Sequence, residues 1–387
     1  MPYVRHVLSG VREGVICVRE ASAALDLSRR RVYQLYGDYL RACAQGVAEQ
    51  WEPGRSGGNH RPAFPEQVEA LLRKLLGAKP PLSYGFATSE VHRRLGLELD
   101  RATVRRWAIA ASLQHTQPIR QPRAAVRRWQ CAQVGALWQL DASAHRWFGS
   151  YGPQTVLLDM VDDCTRVITG ARLYGQETLL AYFDFLPRAL EAYGLPLALY
   201  VDYHSFFFSQ EPEALTQLGH ALKFYGITLK YAPTPEAKGK IERQHQFWQN
   251  RLPPLFILEK VGQIIPANLI IDPLRLHHNQ HEIHREIACT PQAAWQAALS
   301  EGRTVLRPLP KCPWWKYIWS LRSTVRVGPD GRVPVGTQRL RVELPPRQPL
   351  VRCLHPNGAI TILKESPAIG KLPLVVLHYP LQAKVQL

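Results

Sequence analysis

Three carboxylates stand where a chain would set them to hold divalent cations. Asp141 closes an alternating run, ALWQLDAS over 136–143. Asp202 directly follows LALYV, a short apolar run over 197–201, and Glu242 sits in the helical stretch AKGKIERQHQFWQ. Two-metal phosphodiester chemistry needs acidic oxygens converging on two Mg²⁺ (or Mn²⁺) ions ~3.5 to 4 Å apart, one activating the attacking oxygen and one stabilising the leaving oxygen. If the runs bearing the two aspartates are neighbouring parallel strands, both emerge at the same end and one helix turn can face them. Glu242 shares a helix face with Lys238, His245 and Gln249, and Ile241, Trp248 and Leu252 form the opposite apolar stripe. Singly, each acid reads as a solvated surface group or a cap; it is the set, each on a suitable element, that points to metal ligation. Asp159, Asp162 and Asp163 compete for that role but read more simply as turn-forming and capping carboxylates, and His204 as a loop histidine.

The elements that must position these acids can be read around them. Runs over 136–143, 154–162 and 166–174 predict three successive strands. An amphipathic helix over 178–193 ends at Gly194-Leu195-Pro196, and a buried strand follows over 197–201. A helix over 213–225, a strand over 228–231 and a helix from about Glu236 to Leu252 complete the series. Three strands, helix, strand, helix, strand, helix is the order of a ribonuclease H-like α/β fold.

The 387 residues exceed one ordinary core. Lys and Arg number 48 against 31 Asp and Glu, a net charge of +17 that favours polyanionic partners, although a basic chain with no such partner has the same totals. Over 18–44, two helical segments flank Asp26-Leu27-Ser28, and Arg29, Arg30 and Arg31 open the second: a helix-turn-helix pattern, or an αα-hairpin with a solvated basic face. After EPGRSGGNHRPAF, a second helical block over 66–111 repeats the plan, its last helix carrying Arg101, Arg105 and Arg106 beside Trp107. The stretch QPIRQPRAAVRR, with Arg120, Arg123, Arg127 and Arg128, reads as an extended linker, passive or laid along phosphates.

From Trp138 to about Glu259 the chain resembles DDE transposases of bacterial insertion sequences with a retroviral-integrase-like core. WQLDAS, ALYVDYHSFF and TPEAKGKIERQHQFWQNRL carry the resemblance. It implies that Asp141, Asp202 and Glu242 are the catalytic acids and metal ligands, with Lys238, Lys240 and Arg243 holding DNA near the metals. It also implies cleavage that frees a 3′-hydroxyl at an element end, then attack of that hydroxyl on target DNA, without a covalent protein intermediate. Double-stranded DNA and further copies of the chain are the expected partners, with no membrane and no small-molecule substrate, and the bacterial cytoplasm, at the nucleoid, is the expected setting. A DNA-binding regulator or domesticated relative that no longer cuts is the alternative. A ribonuclease H-like nuclease that hydrolyses without joining is a third reading, disfavoured by the tandem N-terminal modules.

The expected architecture is multidomain α+β: helix-turn-helix domains over 1–50 and 62–116, a basic linker over 117–130, the catalytic core over 131–260, a helical region over 261–312, and a small SH3-like β-barrel with its tail over 313–387. The barrel rests on alternating runs broken by Pro329-Asp-Gly and Pro356-Asn-Gly. In LHHNQHEIHRE, His277 and His281 are i and i+4 and could clasp zinc, though a packing or DNA-facing helix is the simpler reading. The seven cysteines are scattered and lack a C-x-x-C pair, which argues against a disulfide framework or zinc ribbon.

Overall fold

The computed structural model describes residues 2–53, 63–113, 130–202, 216–232, 239–310, 315–365 and 374–380. Arg120, Arg123, Arg127, Arg128, Lys238 and His204 lie outside them. The chain divides into two units, Met1–Ala63 and Phe64–Leu387.

In the first unit, α1 (Pro2–Arg12), α2 (Val18–Leu25) and α3 (Arg29–Ala44) enclose Val7, Leu8, Ala21, Val32, Leu35 and Tyr39. Asp26 ends α2 in the left-handed region, φ 50°, which a short polar side chain tolerates. Ser28 then caps α3, its hydroxyl accepting from the Arg31 N–H at 3.4 Å. Arg29 and Arg30 are exposed, whereas Arg31 is half-buried and donates to Gln34 at 3.2 Å.

The second unit opens with α4 (Glu66–Leu76), α5 (Tyr84–Leu95) and α6 (Arg101–Ala110). Ser83 caps α5, Gly96 closes it at φ 68°, and Asp100 caps α6 by accepting from Thr103 N at 2.9 Å. Then come β1 (Trp138–His145), β2 (Thr155–Asp162), β3 (Ile168–Tyr174), α7 (Leu179–Tyr193), β4 (Ala198–Val201), α8 (Gln217–Phe224), β5 (Thr228–Tyr231), α9 (Gly239–Gln249), α10 (Leu252–Leu258), α11 (Ile264–His281) and α12 (Pro291–Ser300). The sheet order is β3-β2-β1-β4-β5; β1, β2 and β3 pair antiparallel, and β1, β4 and β5 parallel.

β2 is buried along its whole length because helices cover both faces. Leu158 and Met160 pack with Phe183 and Leu186 of α7. Leu157 faces the other way, into a cluster with Trp248, Phe256 and Ile271. Val68, Leu72, Phe86, Val91 and Trp107 of α4–α6 belong to that same cluster, so these helices share one core with the sheet. Charge fastens them too: Lys74 and Arg94 meet Glu259 at 3.0 and 3.2 Å.

A short α13 (Trp315–Ile318) leads to β6 (Leu321–Arg326), β7 (Arg332–Val335), β8 (Gln338–Arg341), β9 (Pro349–Leu354), β10 (Ile360–Leu363) and β11 (Val375–Tyr379). Among the described residues these strands do not close a barrel. β11-β10-β9-β6 form one antiparallel sheet and β7-β8 a separate hairpin. Val327, Val333, Val335, Leu350 and Ile362 pack the two together. No helix among the described residues is long and apolar enough to cross a membrane.

Candidate active site

Asp141 lies inside β1, four residues before its end, and not at the strand terminus the alternation suggested. Ala142 to His145 go on pairing with β2, out to Thr155. What ends near Asp141 is the parallel partner. Trp138 pairs with Leu199 and Gln139 with Tyr200, and carrying that register forward sets Asp141 opposite Asp202, just past the last residue of β4. Adjacent strands run about 4.8 Å apart, so the two aspartates leave neighbouring strands side by side. Asp141 is half-buried and Asp202 exposed.

Helix α9 lies against β1 and β2 and is pinned at both ends. Toward its start, Lys240 forms a short ion pair with Asp163, which is wholly buried and also accepts from Gln139 Nε2 and Cys131 N, each at 2.7 Å. Toward its end, Trp248 Nε1 donates to Asp159 at 3.1 Å and Gln249 Nε2 to Ser143 Oγ at 3.2 Å. Between the pins, His245 Nδ1 stands 4.0 Å from Asp141 Oδ2. Glu242, exposed, is one turn earlier on the same face.

The competing aspartates have other partners. Asp162 accepts from Gly135 N at 2.9 Å and from Thr165 N and Oγ1, each at 2.8 Å. Asp159, opposite Asp141 in the register, is fully buried. Burial, with the Asp141 charge beside it, pushes its carboxyl well above the usual range against the pull of the Trp248 donor. Lys240, expected to hold DNA, turns inward instead: its side chain is only 8% exposed because the buried Asp163 carboxylate demands a cation. Arg243 is exposed and pairs with Glu286. Arg101, Arg105 and Arg106 are exposed, and Arg106 donates to Thr103 Oγ1 at 3.0 Å.

A buried tyrosine with no distinguishing spacing carries an electrostatic trace of the aspartates. Tyr182, buried on α7, donates to Glu177 at 2.7 Å. Burial first, then Glu177, then the charges of Asp141 and Asp202, push the Tyr182 hydroxyl well above its ordinary range. The donor set is all carboxylate oxygen, which suits Mg²⁺ or Mn²⁺. Among the described residues, no three His, Cys, Asp or Glu side chains form a group that could hold a metal ion.

No family model matches the chain. Over 295 residues it is 30% identical to the y4bF protein of Sinorhizobium fredii, named for a transposase, covering 74% of this chain and 62% of that one. Over 307 residues it is 28% identical to the transposase for insertion sequence IS1202 of Streptococcus pneumoniae, covering 68% and 64% respectively. The chain is thus similar to two bacterial proteins named for transposases, one of them of an insertion sequence, and spans less than two thirds of the length of either. Among solved structures, the HTLV-2 integrase catalytic core domain in complex with magnesium aligns at 19% identity and a TM-score of 0.34, covering 43% of this chain and 98% of that one. A simian T-cell lymphotropic virus intasome in complex with the PP2A regulatory subunit B56 gamma aligns at 17% and 0.37, covering 75% and 99%. Both scores are low, and the fold rests on strand order and register instead.

Proposed function

We propose that this chain is a DNA transposase of the DDE class, which binds the terminal inverted repeats of a mobile element, cleaves to free 3′-hydroxyl ends and joins those ends to target DNA. The observation that carries the reading is the matched register of Asp141 and Asp202 on adjacent parallel strands, faced by a helix fixed so that Glu242 lies a turn from His245. Its relatedness to proteins named as transposases and its net charge of +17 support it.

Asp141, Asp202 and Glu242 would hold two Mg²⁺ or Mn²⁺ ions. When bound, these ions activate the attacking oxygen and stabilise the leaving one. The protein's own part is positional. β1 holds Asp141 in a central strand, and the Lys240 and Trp248 contacts fix α9. Water attacks the phosphodiester at the element end and the 3′-oxygen leaves; that freed 3′-hydroxyl then attacks a target phosphodiester and displaces the target's own 3′-oxygen.

The helices of the first unit and α4–α6 serve as helix-turn-helix modules on the repeats, with Arg29, Arg30, Arg101, Arg105, Arg106 and the arginines over 117–128 on phosphates or base edges. The carboxylate-bearing sheet with its helices is a ribonuclease H-like core, and the C-terminal sheet an SH3-like element that contacts DNA or a second copy. Two element ends cut together call for at least two copies.

The test uses the full chain, Mg²⁺ and DNA carrying the inverted repeats that flank its coding region. Wild type is expected to nick at the repeat and join the end to a plasmid. Asp141→Ala, Asp202→Ala and Glu242→Ala are expected to abolish both steps and keep end binding. Full cleavage by any one of these variants removes the assignment, and end binding without cleavage by wild type returns the silent-regulator reading.

A further inference from the structure

Two arginines from separate elements converge on one carboxylate beside the helix position of Glu242. Arg243, the next residue on α9, donates to Glu286 Oε1, and Arg166, in the turn between β2 and β3, reaches Glu286 Oε2 at 3.5 Å. Lys240, Arg166 and Arg243 are thus set against two carboxylates, Asp163 and Glu286, which leaves one positive charge in excess. Arg285, exposed and next to Glu286 in the chain, adds another.

Arg166 is an unusual residue for its place. The turn puts it at φ 67°, a conformation that glycine or asparagine takes at lower cost. A guanidinium kept at such a position has a use for its charge. Its side chain is only 7% exposed, donates to the Asp163 carbonyl, and has a buried Nε with no hydrogen-bond partner among the described residues. The Glu286 carboxylate therefore does not satisfy the donors gathered there. Glu286 itself stands at the tip of a tight loop between α11 and α12, closed by the His284–Cys289 bridge, with its N–H donating to His284 Nδ1 at 3.3 Å. Its side chain is 31% exposed, and rotation about its own bonds takes the carboxylate off the arginines without opening the loop. A phosphodiester offers what this carboxylate offers, one negative charge and two oxygens able to bridge two guanidiniums.

We propose that Arg166 and Arg243 form a subsite for a DNA phosphate next to the scissile one, and that Glu286 fills it in the DNA-free chain and yields it when DNA binds. The inference rests on the transposase reading, in which the cut strand passes Glu242 and so meets Arg243 beside it. The exchange lowers DNA affinity by the worth of the pair that breaks, about two- to fivefold for a partly exposed pair.

Binding of the full chain to a fluorescent duplex carrying the flanking inverted repeat is followed by anisotropy in EDTA, so that no cleavage intervenes. Glu286→Gln, which keeps the shape and removes the charge, is expected to bind about two- to fivefold more tightly than wild type. Arg243→Ala is expected to lower the slope of log affinity against log salt by about 0.9, and the gain from Glu286→Gln should shrink when both changes are combined. Glu301→Gln, which removes another exposed carboxylate paired with an arginine, is expected to bind as wild type does. The proposal is overturned by Glu286→Gln binding no more tightly than wild type, by a gain that persists in full without Arg243, by an equal gain in Glu301→Gln, or by an unchanged salt slope in Arg243→Ala. Wild type that binds the repeat but does not cut it with Mg²⁺ fails the transposase reading and not this one. Wild type that cuts, with no gain in Glu286→Gln, fails this one alone.

Discussion

Trp248 donates its indole N–H to Asp159, the residue directly opposite Asp141 in the β1–β2 register, and so ties the helix carrying Glu242 to the strand behind the aspartates. Asp159 is accordingly a buried anchor for that helix. Its raised folded-state pKa means that the folded protein holds a proton which the unfolded chain, with its ordinary value of 3.8, releases. That contribution is full below 3.8 and is lost as pH rises toward the folded value. Asp159→Asn is therefore expected to retain cleavage and to raise the melting temperature, by a margin that grows as pH rises above 3.8. Loss of cleavage as complete as in Asp141→Ala would make Asp159 a ligand instead.

Lys240 supplies the other pin. Removing it leaves the Asp163 carboxylate buried without its cation, and breaking a buried pair by deleting one partner costs about 3–5 kcal/mol. Urea denaturation of Lys240→Ala is expected to return a loss of that order. A loss below about 1 kcal/mol would mean that the pair is solvated.

Arg29 and Arg30 differ from Lys240 in being exposed at the start of α3. Substituting either by Ala is expected to leave stability within about 0.5 kcal/mol. Each should lower the slope of log affinity against log salt for repeat DNA by about 0.9. An unchanged slope would take these arginines off the phosphates.

The element order from Trp138 to Gln249 was legible because central strands carry apolar runs and because Thr178 and Thr216 cap helices by a local rule. Local rules stop at tertiary pairing. The ALWQLDAS alternation suggested an end at Asp141, yet the small residues Ala142, Ser143 and Ala144 keep pairing with β2 while showing no apolar signal of it. Lys240 read as part of a cationic helix face, but its partner Asp163 is 77 positions away. The shared core of α4–α6 and the sheet is likewise built from contacts between distant segments. The C-terminal runs gave their turns, with Gly331 at φ 70° and Gly358 at φ 82° where Asp-Gly and Asn-Gly predict them. Alternation alone does not say whether such strands close a barrel.

His355, 8% exposed under the C-terminal sheet, bonds Thr361 Oγ1 at 2.9 Å, and Thr361 in turn contacts His378 at 3.0 Å. Burial, then His378 and Lys316, push its imidazole down to about 4, against a backbone contact at Lys316. Above the ordinary value of 6.5 both folded and unfolded states are neutral there, and nothing depends on pH. Between 6.5 and about 4 the unfolded chain takes up a proton that the folded chain refuses, so stability falls as pH falls through that window and levels off below it. The full effect is on the order of 2–3 kcal/mol. His277 and His284 are pushed down to about 4 as well, so the informative quantity is a difference between proteins. Denaturation midpoints of wild type and His355→Gln, followed from about pH 7 to about pH 4, are expected to converge as the wild type loses its advantage. Parallel curves across the window would show that His355 is protonated in the fold.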